Sequence, residues 1–538
     1  MILSNDGIKN KEEWEKAGYK LSSYDVDAVR AKTLKNPEWV HFGAGNIFRA
    51  FQAVLCEELL SEGKMSTGII AAEGYDPEII KKMYLPHDNL SLVVTLKSDG
   101  SVDKAVNASI AEALVADPLY TEDFERLKNI FKSPSLKMAS FTITEKGYVL
   151  ADGNGQFFPG VLKDMEEGPK TPSSYIGKVT SLLYERFLTG YLPLAMVSMD
   201  NCSHNGDRLS AAVLSYAKAW EKNGKVQKGF AAYVSDRSVV SFPWTMIDKI
   251  TPRPDEKIKK LLGEDGVEDL ESIVTSKNTY VAPFVNAEEC RYLVIEDAFP
   301  NGKIPFKNKG VYYTNKETVD KVEKMKVCTC LNPLHTALAV FGCLLSHNLI
   351  SEEMKDEHLK KLVETIGYTE GLPVVVNPGI INPKDFIDEV VNVRIPNPFM
   401  PDTPQRIAMD TSQKLSVRYG ETIKAYLAND SLNVGDLRAI PFVFAGWLRY
   451  VLGINDKGEA FTPSPDPLLE SVKEKLEGIG LGTCDRKLIH EKLSEILNDE
   501  TIFGVDVYKA GLGEITEEYF TSMLKGEGAV YNLLRNMF

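Results

Sequence analysis

A lysine, an asparagine and a histidine lie close together in the second half of the chain and could together move a proton. Lys326 precedes a short apolar run, and Asn332, Pro333 and His335 follow that run. An amine, an amide and an imidazole are the groups needed to take the proton of a sugar hydroxyl and to stabilise the oxygen that remains. Asn before Pro is also typical of a helix start with Asn332 as N-cap, so a capped core helix explains the same residues.

A glycine turn near the N-terminus is a second candidate site. A short strand leads to Gly43 and Gly45, and an apolar segment with helical spacing follows. Such glycines let the backbone approach a pyrophosphate at the helix N-terminus. Asn46, Phe48 and Arg49 continue this turn, and Phe48 stands where the usual fingerprint has its third glycine. The turn therefore predicts a dinucleotide site, with a plain turn as the alternative.

An acidic residue follows the next predicted strand. Glu73 stands where a carboxylate would bind the ribose hydroxyls of NAD and repel the extra phosphate of NADP. It comes 28 positions after Gly45, whereas the usual spacing is about 20. The sequence therefore predicts NAD as the cofactor, although a strand-end glutamate is also commonly just solvated.

A polar turn follows the predicted strand at residues 192–199. It contains Asp200 and Asn201 and ends at Gly206. Side chains at the carboxyl end of a strand in an α/β sheet lie where ligands bind. A turn rich in Asn and Gly is also common without any ligand.

Composition excludes several classes of protein. The net charge of −14 and a pI near 5.2 argue against a nucleic-acid partner, whose phosphates demand a basic face. We find no run of apolar residues long enough for a membrane span, and the first residues, Met1–Gly7, do not resemble a signal peptide. The sequence predicts a cytoplasmic protein with no membrane partner.

The 7 cysteines are an odd number scattered over a long chain, as expected for reduced thiols. Two groups resemble metal ligands: Cys328 and Cys330 near His335, and Cys202 near His204. Neither has the paired spacing of a structural zinc site, so we expect no metal.

The elements that must position these residues divide the chain in two. A length of 538 residues predicts at least two domains. Strands alternate with helices over residues 1–305, which predicts an α/β, Rossmann-like nucleotide-binding domain. Residues 301–313 are rich in Gly and Lys and predict a linker. Helical periodicity dominates residues 306–538, which predicts a mostly α-helical substrate and catalytic domain.

The chain resembles the mannitol dehydrogenase family of polyol-specific long-chain dehydrogenases and reductases, from about Trp39 to about Tyr419. Any one of the matching blocks would be poor evidence, and their order and spread make the resemblance specific. The blocks lie within Gly43–Ala50, Thr142–Tyr148, Ser198–Gly206, Phe242–Pro252, Ile295–Asp297, Lys326–His335 and Arg394–Thr403.

The resemblance implies an NAD(P)-dependent oxidoreductase without a metal. It implies that Lys326 is the base, that Asn201 and Asn332 hold the reacting oxygen, and that His335 orients the substrate or the lysine. The family usually places its lysine five residues before the asparagine, whereas Lys326 is six before Asn332. Either the connection bulges by one residue, or Lys324 is the base.

Within the family, the motif variants resemble members that interconvert D-mannonate and D-fructuronate with NAD(H). Tagaturonate reductase and mannitol dehydrogenase are the alternatives. A hexonate needs a cationic partner for its carboxylate, and Arg394 and Arg406 are candidates, with Asp200 as a further substrate ligand. Two alternative functions of other classes are a nucleotide-binding sensor without turnover and a zinc-dependent alcohol dehydrogenase. The oligomeric state stays open.

Overall fold

The computed structural model describes the whole chain, Met1–Phe538. It consists of two compact units: Met1–Lys97 with Ser101–Asp320, and Lys321–Phe538 with Ser98–Gly100. Strands are confined to the first unit and helices make up the second. The predicted fold class, a Rossmann-like α/β part followed by a mostly helical part, is confirmed.

The first unit contains all the strands. They are β1 (Tyr19–Lys20), β2 (Trp39–Phe42), β3 (Ile69–Glu73), β4 (Ser91–Leu96), β5 (Val102–Asn107), β6 (Ile110–Val115), β7 (Met138–Phe141), β8 (Leu194–Ser198), β9 (Val240–Ser241), β10 (Thr245–Asp248), β11 (Ile273–Val274), β12 (Tyr280–Val281), β13 (Phe284–Glu288), β14 (Tyr292–Glu296) and β15 (Val311–Thr314). Its helices are α1 (Lys11–Lys16), α2 (Val26–Lys35), α3 (Ala53–Ser61), α4 (Pro77–Ile79), α5 (Thr121–Lys132), α6 (Pro159–Glu167), α7 (Tyr175–Leu188), α8 (Asn205–Lys222), α9 (Phe230–Ser235) and α10 (Glu256–Glu264), and α11 (Lys316–Met325) leads out of it.

A parallel six-stranded sheet forms the centre of the first unit. Its order is β6-β3-β2-β7-β8-β9, which in chain order of the strands is the 3-2-1-4-5-6 arrangement of dinucleotide-binding folds. The order reverses between β2 and β7, which pair in parallel from Trp39 with Met138 to Phe42 with Phe141. Ligands of such sheets bind beyond the carboxyl ends of the strands at this reversal.

Alternating side chains of β2 and β3 build two cores. Val40, Phe42 and Ile70 face the layer that contains α7, whereas Trp39 and Ile69 face the opposite layer. Strands buried on both faces read as continuous apolar runs, which is why these segments lack the polar alternation of an exposed sheet.

Three smaller sheets complete the first unit. Their orders are β1-β5-β4-β13, β10-β14-β15 and β11-β12. Residues 98–101, which include an Asp-Gly pair typical of hairpin turns, join the antiparallel strands β4 and β5. Residues 301–313 are not only a linker, because β15 begins at Val311 and pairs in parallel with β14.

The second unit is built from α12 (Asn332–Leu345), α13 (Ile350–Glu353), α14 (Glu357–Glu364), α15 (Pro383–Glu389), α16 (Pro404–Ile407), α17 (Glu421–Leu427), α18 (Ala439–Val451), α19 (Leu469–Lys475), α20 (Arg486–Leu497), α21 (Glu500–Phe503), α22 (Gly513–Met523) and α23 (Ala529–Met537). Helix α18 is buried along its whole length and packs against α12 and α22. A helix that is apolar all round belongs in a core.

The carboxylate of Glu370 caps the start of α18 from a distant part of the chain. It accepts hydrogen bonds from the backbone N–H groups of Arg438 (2.5 Å), Ala439 (2.7 Å) and Ile440 (2.9 Å). These are orphan donors of a helix N-terminus, and a negative charge there also complements the helix dipole.

Six helical segments have π geometry, in which each N–H bonds five residues back. They are Phe48–Gln52, Ile80–Tyr84, Lys326–Cys330, Thr365–Gly371, Val390–Arg394 and Ser416–Gly420. Such turns are rare and occur frequently at functional sites.

Taken together, α11, the π turn Lys326–Cys330 and α12 form a helical segment of 30 residues, Lys316–Leu345, which by length and hydropathy alone could span a membrane. Within the protein, 78% of its most apolar window is buried, as in a core helix. All seven cysteines are free, and Cys484 is the exposed one.

Candidate active site

The structure explains the glycines at positions 43 and 45 in two different ways. Gly43 has φ of +104°, and a Cβ on it would lie 2.1 Å from the carbonyl oxygen of Thr142, so the fold itself requires glycine there. A Cβ on Gly45 would meet no protein atom within 4 Å. The space beside Gly45 is therefore open to a bound group, as the approach of a pyrophosphate demands.

The side chains that follow the glycines point into the protein. Phe48 is buried and stacks on the ring of His41 with 4.6 Å between centroids. Arg49 is also buried and donates to the carbonyl of Ala282 (2.7 Å) and to Oδ1 of Asn46 (2.9 Å). Phe48 and Arg49 thus shape the helix start, and the backbone of the turn is what remains accessible to a ligand.

Glu73 connects the end of β3 to the glycine turn. Its side chain accepts hydrogen bonds from the N–H groups of Ala44 (2.8 Å), Tyr75 (2.7 Å) and Asp76 (3.0 Å). Burial raises the pKa of Glu73, and these three donors offset part of that effect. The carboxylate is 5% exposed and organises the loops around it.

Asp200 organises the turn after β8 in a similar way. It accepts from the N–H groups of Ile143 (3.0 Å) and Thr144 (2.9 Å) and from the hydroxyl of Tyr148. Burial raises the pKa of Asp200, and the Tyr148 hydroxyl acts against that shift. Thr144 has φ of 65°, an uncommon conformation for a β-branched residue, which Asp200 helps to hold.

Asn201 is exposed, and its amide makes no hydrogen bond to the protein. Below it, the buried Asn205 donates to the carbonyl of Asp200 (3.0 Å) and accepts from the N–H of Thr245 (3.0 Å). The hydrogen bonds of Asn205 therefore hold the turn in place, and the amide of Asn201 on that turn is free to bind a ligand. The roles of Asn205 and Tyr148 are not evident from the sequence, although both residues lie in the motif blocks Ser198–Gly206 and Thr142–Tyr148.

The first unit thus places all its candidate residues at one edge of the central sheet. The glycine turn follows β2, Glu73 ends β3, and Asp200 and Asn201 follow β8. These are carboxyl ends of parallel strands, on both sides of the reversal in strand order.

In the second unit, burial distinguishes the two lysines. Lys326 is 5% exposed, whereas Lys324 lies on the exposed face of α11. Lys326 begins the π turn, and its carbonyl accepts from the N–H of Leu331 at 3.1 Å. A π turn holds one residue more than an α turn, so the six-residue spacing from Lys326 to Asn332 takes the form of a bulge.

Asn332 and His335 lie on one face of α12, three residues apart. The amide of Asn332 is half-buried and makes no side-chain hydrogen bond to the protein. The predicted helix start is confirmed, because α12 begins at Asn332, but Asn332 is not its cap: Leu331, with φ of −129° and ψ of −60°, separates the π turn from α12 and is the N-cap residue. The amide of Asn332 is therefore left for another partner.

The two arginines proposed from sequence have different surroundings. Arg394 is 4% exposed and ends the π turn Val390–Arg394. The side chain of Arg406 is 60% exposed and forms an ion pair with Asp402. A third arginine, Arg418, was missed because no motif marks it; its guanidinium donates to the hydroxyl of Thr336 on α12.

Comparisons with known proteins agree with the division into units. Residues 37–308 match the mannitol dehydrogenase Rossmann domain, and residues 318–522 match the mannitol dehydrogenase C-terminal domain. The D-mannonate oxidoreductase of Thermotoga maritima is 51% identical over 539 residues, which cover 100% of this chain and 99% of the relative. The polyol:NADP oxidoreductase of Gluconobacter oxydans is 27% identical over 466 residues, which cover 86% and 88%.

A solved structure has the same fold. The ternary complex of Pseudomonas fluorescens mannitol 2-dehydrogenase with NAD and D-mannitol superposes with a TM-score of 0.68 at 24% identity, covering 100% of this chain and 99% of that one. The family models cover most of the sequence in the order of its two units, and a relative is half identical from end to end. On this evidence the chain belongs to the mannitol dehydrogenase family.

Proposed function

We propose that the protein is an NAD(H)-dependent oxidoreductase that interconverts D-mannonate and D-fructuronate. The observation that carries this proposal is the full-length similarity to the D-mannonate oxidoreductase of Thermotoga maritima. In the reducing direction, D-fructuronate, NADH and a proton give D-mannonate and NAD⁺. Tagaturonate reduction and mannitol oxidation are the alternatives within the same family.

The proposed cofactor site is the turn at Gly43 and Gly45 with the helix that begins at Asn46. Its open space at Gly45 and its position beyond the carboxyl end of β2 support the proposal. NAD⁺, when bound, accepts the hydride. Phe48, Arg49 and Glu73 contribute by fixing the shape of the turn, and the carboxylate of Glu73 would oppose a phosphate on the adenosine ribose.

For the chemical step we propose the roles that the family resemblance implies. Lys326, as a neutral amine, takes the hydroxyl proton of the substrate during oxidation and returns it during reduction. Asn201 and Asn332 donate amide hydrogens to the developing alkoxide, and their lack of protein partners supports this role. His335 orients a substrate oxygen or Lys326.

For Asp200 we propose a supporting role. Its carboxylate has three donors from the protein, so it acts on the substrate through the position of Asn201. Arg394 and Arg406 stay candidates for the substrate carboxylate.

A panel of substrates and cofactors tests the function. The purified protein is assayed with D-fructuronate, D-tagaturonate and D-fructose, each with NADH and with NADPH. We expect the highest kcat/KM for D-fructuronate with NADH. A preference for D-tagaturonate or D-fructose moves the protein to a neighbouring activity, and equal or better efficiency with NADPH removes the proposed role of Glu73. The polyol:NADP relative makes the cofactor comparison necessary.

The remaining assignments are proposals of the same kind. We propose that residues 1–305 bind the nucleotide, that residues 306–538 supply the base and the substrate contacts, and that the protein acts in the cytoplasm on a small sugar acid.

A further inference from the structure

Arg418 is a half-buried cation of the second unit that has no acidic partner. It lies in the π turn Ser416–Gly420, and its only side-chain hydrogen bond runs from a guanidinium nitrogen to Oγ1 of Thr336. No carboxylate forms an ion pair with it. A half-buried guanidinium without a carboxylate partner keeps donor groups that can bind another ligand.

The contact with Thr336 fixes where the charge lies. Thr336 is four residues after Asn332 on α12 and donates to the carbonyl of Asn332 at 2.9 Å. Residues three and four apart share a helix face, so Thr336 is on the face that also carries Asn332 and His335. The neighbouring Tyr419 donates to the carbonyl of Pro333 at 2.6 Å and fixes the π turn of Arg418 against α12.

This π turn also packs against the one that begins at Lys326. Two irregular turns and the start of α12 therefore form one cluster within the second unit. The guanidinium of Arg418 belongs to the same cluster as Lys326, Asn332 and His335.

A second cation increases the local positive charge. Lys414 precedes Arg418 by one helical turn and donates to two backbone carbonyls. Burial lowers the pKa of Lys414 to about 8; the charge of Arg418 also lowers this pKa, whereas Asp410 and Asp466 raise it. Burial likewise lowers the pKa of Arg418 to about 10. Two neighbouring cations that repel each other, in a chain of net charge −14, favour the binding of an anion.

We propose that Arg418 binds the carboxylate of the sugar acid. A guanidinium holds a carboxylate through two parallel N–H···O bonds, and Thr336 occupies only one of its donor groups. A hexonate or hexuronate has a carboxylate where a polyol or ketohexose has a neutral hydroxyl. This inference rests on the proposed function and names a residue that selects acids over neutral sugars.

The test compares a charged and a neutral substrate in the same variant. In Arg418→Gln, kcat/KM for D-fructuronate should fall by about 10²- to 10³-fold, the typical effect of removing one partner of a buried charge pair. The kcat/KM for D-fructose should change by less than about threefold, because no charge contact is lost. An equal loss on both substrates would assign Arg418 a structural role and overturn the proposal.

Binding supplies a readout without turnover. D-mannonate is titrated calorimetrically into the enzyme that is saturated with NADH, and Arg418→Gln should weaken binding by a similar factor. Unchanged affinity contradicts the proposal. If Arg418→Gln fails to fold, Arg418→Lys replaces it, with an expected loss of at least about tenfold for D-fructuronate because a lysine cannot bind a carboxylate bidentately.

Arg438→Gln is the matched control. Arg438 is exposed in the same unit, and its side chain donates only to the carbonyls of Gly435 and Leu437. This variant should keep the substrate ratio of the wild type. A wild-type enzyme that does not reduce D-fructuronate would disprove the proposed function itself, whereas an active enzyme with unchanged selectivity in Arg418→Gln would disprove only the role of Arg418.

Discussion

Among single residues, the difference in burial between two lysines gives the sharpest expectation. Lys326→Ala should lower kcat by at least about 10²-fold, because the proton of the substrate loses its acceptor. Lys324→Ala should change little, since Lys324 lies on an exposed helix face. Rates measured from pH 6 to pH 10 for both variants check this, and the reverse pattern would make Lys324 the base.

The two glycines of the nucleotide turn allow a matched pair of substitutions. Gly45→Val should weaken NADH binding strongly and leave the thermal midpoint almost unchanged, because its Cβ enters space that no protein atom fills. Gly43→Ala should destabilise the protein by more than about 1 kcal/mol, since it combines a positive φ with a contact to Thr142. Fluorescence titration with NADH and thermal unfolding separate the effects. Normal NADH binding by Gly45→Val would disprove the placement of the pyrophosphate.

Among the elements, helix α18 depends on an acceptor outside its own segment. Glu370→Ala leaves the N–H groups of residues 438–440 without their carboxylate in a buried place, which should cost about 2–4 kcal/mol. Urea unfolding followed by tryptophan fluorescence, to which Trp447 on α18 contributes together with the four tryptophans of the first unit, measures this loss. Glu421→Ala, at an exposed position of α17, is the control. An unchanged urea midpoint in Glu370→Ala would show that water replaces the cap.

Elements whose pattern is local were predictable from sequence. The strand, glycine turn and helix around Gly43 follow from short-range periodicity, and the hairpin at 98–101 follows from its Asp-Gly pair. By contrast, the sequence does not mark Leu331 as the N-cap of α12, because the π turn before it has no sequence signature. Residues 242–252 show no clear strand pattern in the sequence, yet they contain β10, because its pairing with β14 depends on residues far away in the chain.

In the candidate site, too, some residues could be predicted from the sequence and others could not. The motifs located Lys326, Asn201 and Asn332, because residue type and spacing carry that signal. They did not identify the contact of Arg418 with Thr336, whose partners are 82 residues apart. Long-range contacts of single charged side chains depend on the packing of the whole unit, and one sequence does not display them.

At the scale of the whole molecule, a buried carboxyl should make stability depend on pH. Glu353 is fully buried, and neither of its oxygens has a hydrogen-bond partner. Burial raises the pKa of Glu353 well above its ordinary value of 4.5, so folding takes up a proton. Its contribution to stability is complete below the ordinary value and is lost as pH rises through the pKa of the folded state, with a slope of at most about 1.4 kcal/mol per pH unit.

Glu353→Met removes this dependence with a side chain of similar size. The variant should become increasingly more stable than the wild type as pH rises from 5 to 9, which denaturant midpoints measured across that range will check. Glu352→Met changes an exposed neighbour and should leave the pH profile as it is. A constant difference between Glu353→Met and the wild type at all pH values would mean that Glu353 takes up no proton on folding.

In evolutionary terms, a π turn is a place where a helix can gain or lose one residue and keep its hydrogen-bonded continuity. The turn Lys326–Cys330 joins α11 to α12 in this way, beside the residues proposed for catalysis. Removing one residue from this turn would rotate the lysine by about 100° relative to α12. Insertions and deletions inside this helix can thus redirect the base, and a homologue whose spacing differs by one residue is expected to differ in the orientation of its lysine.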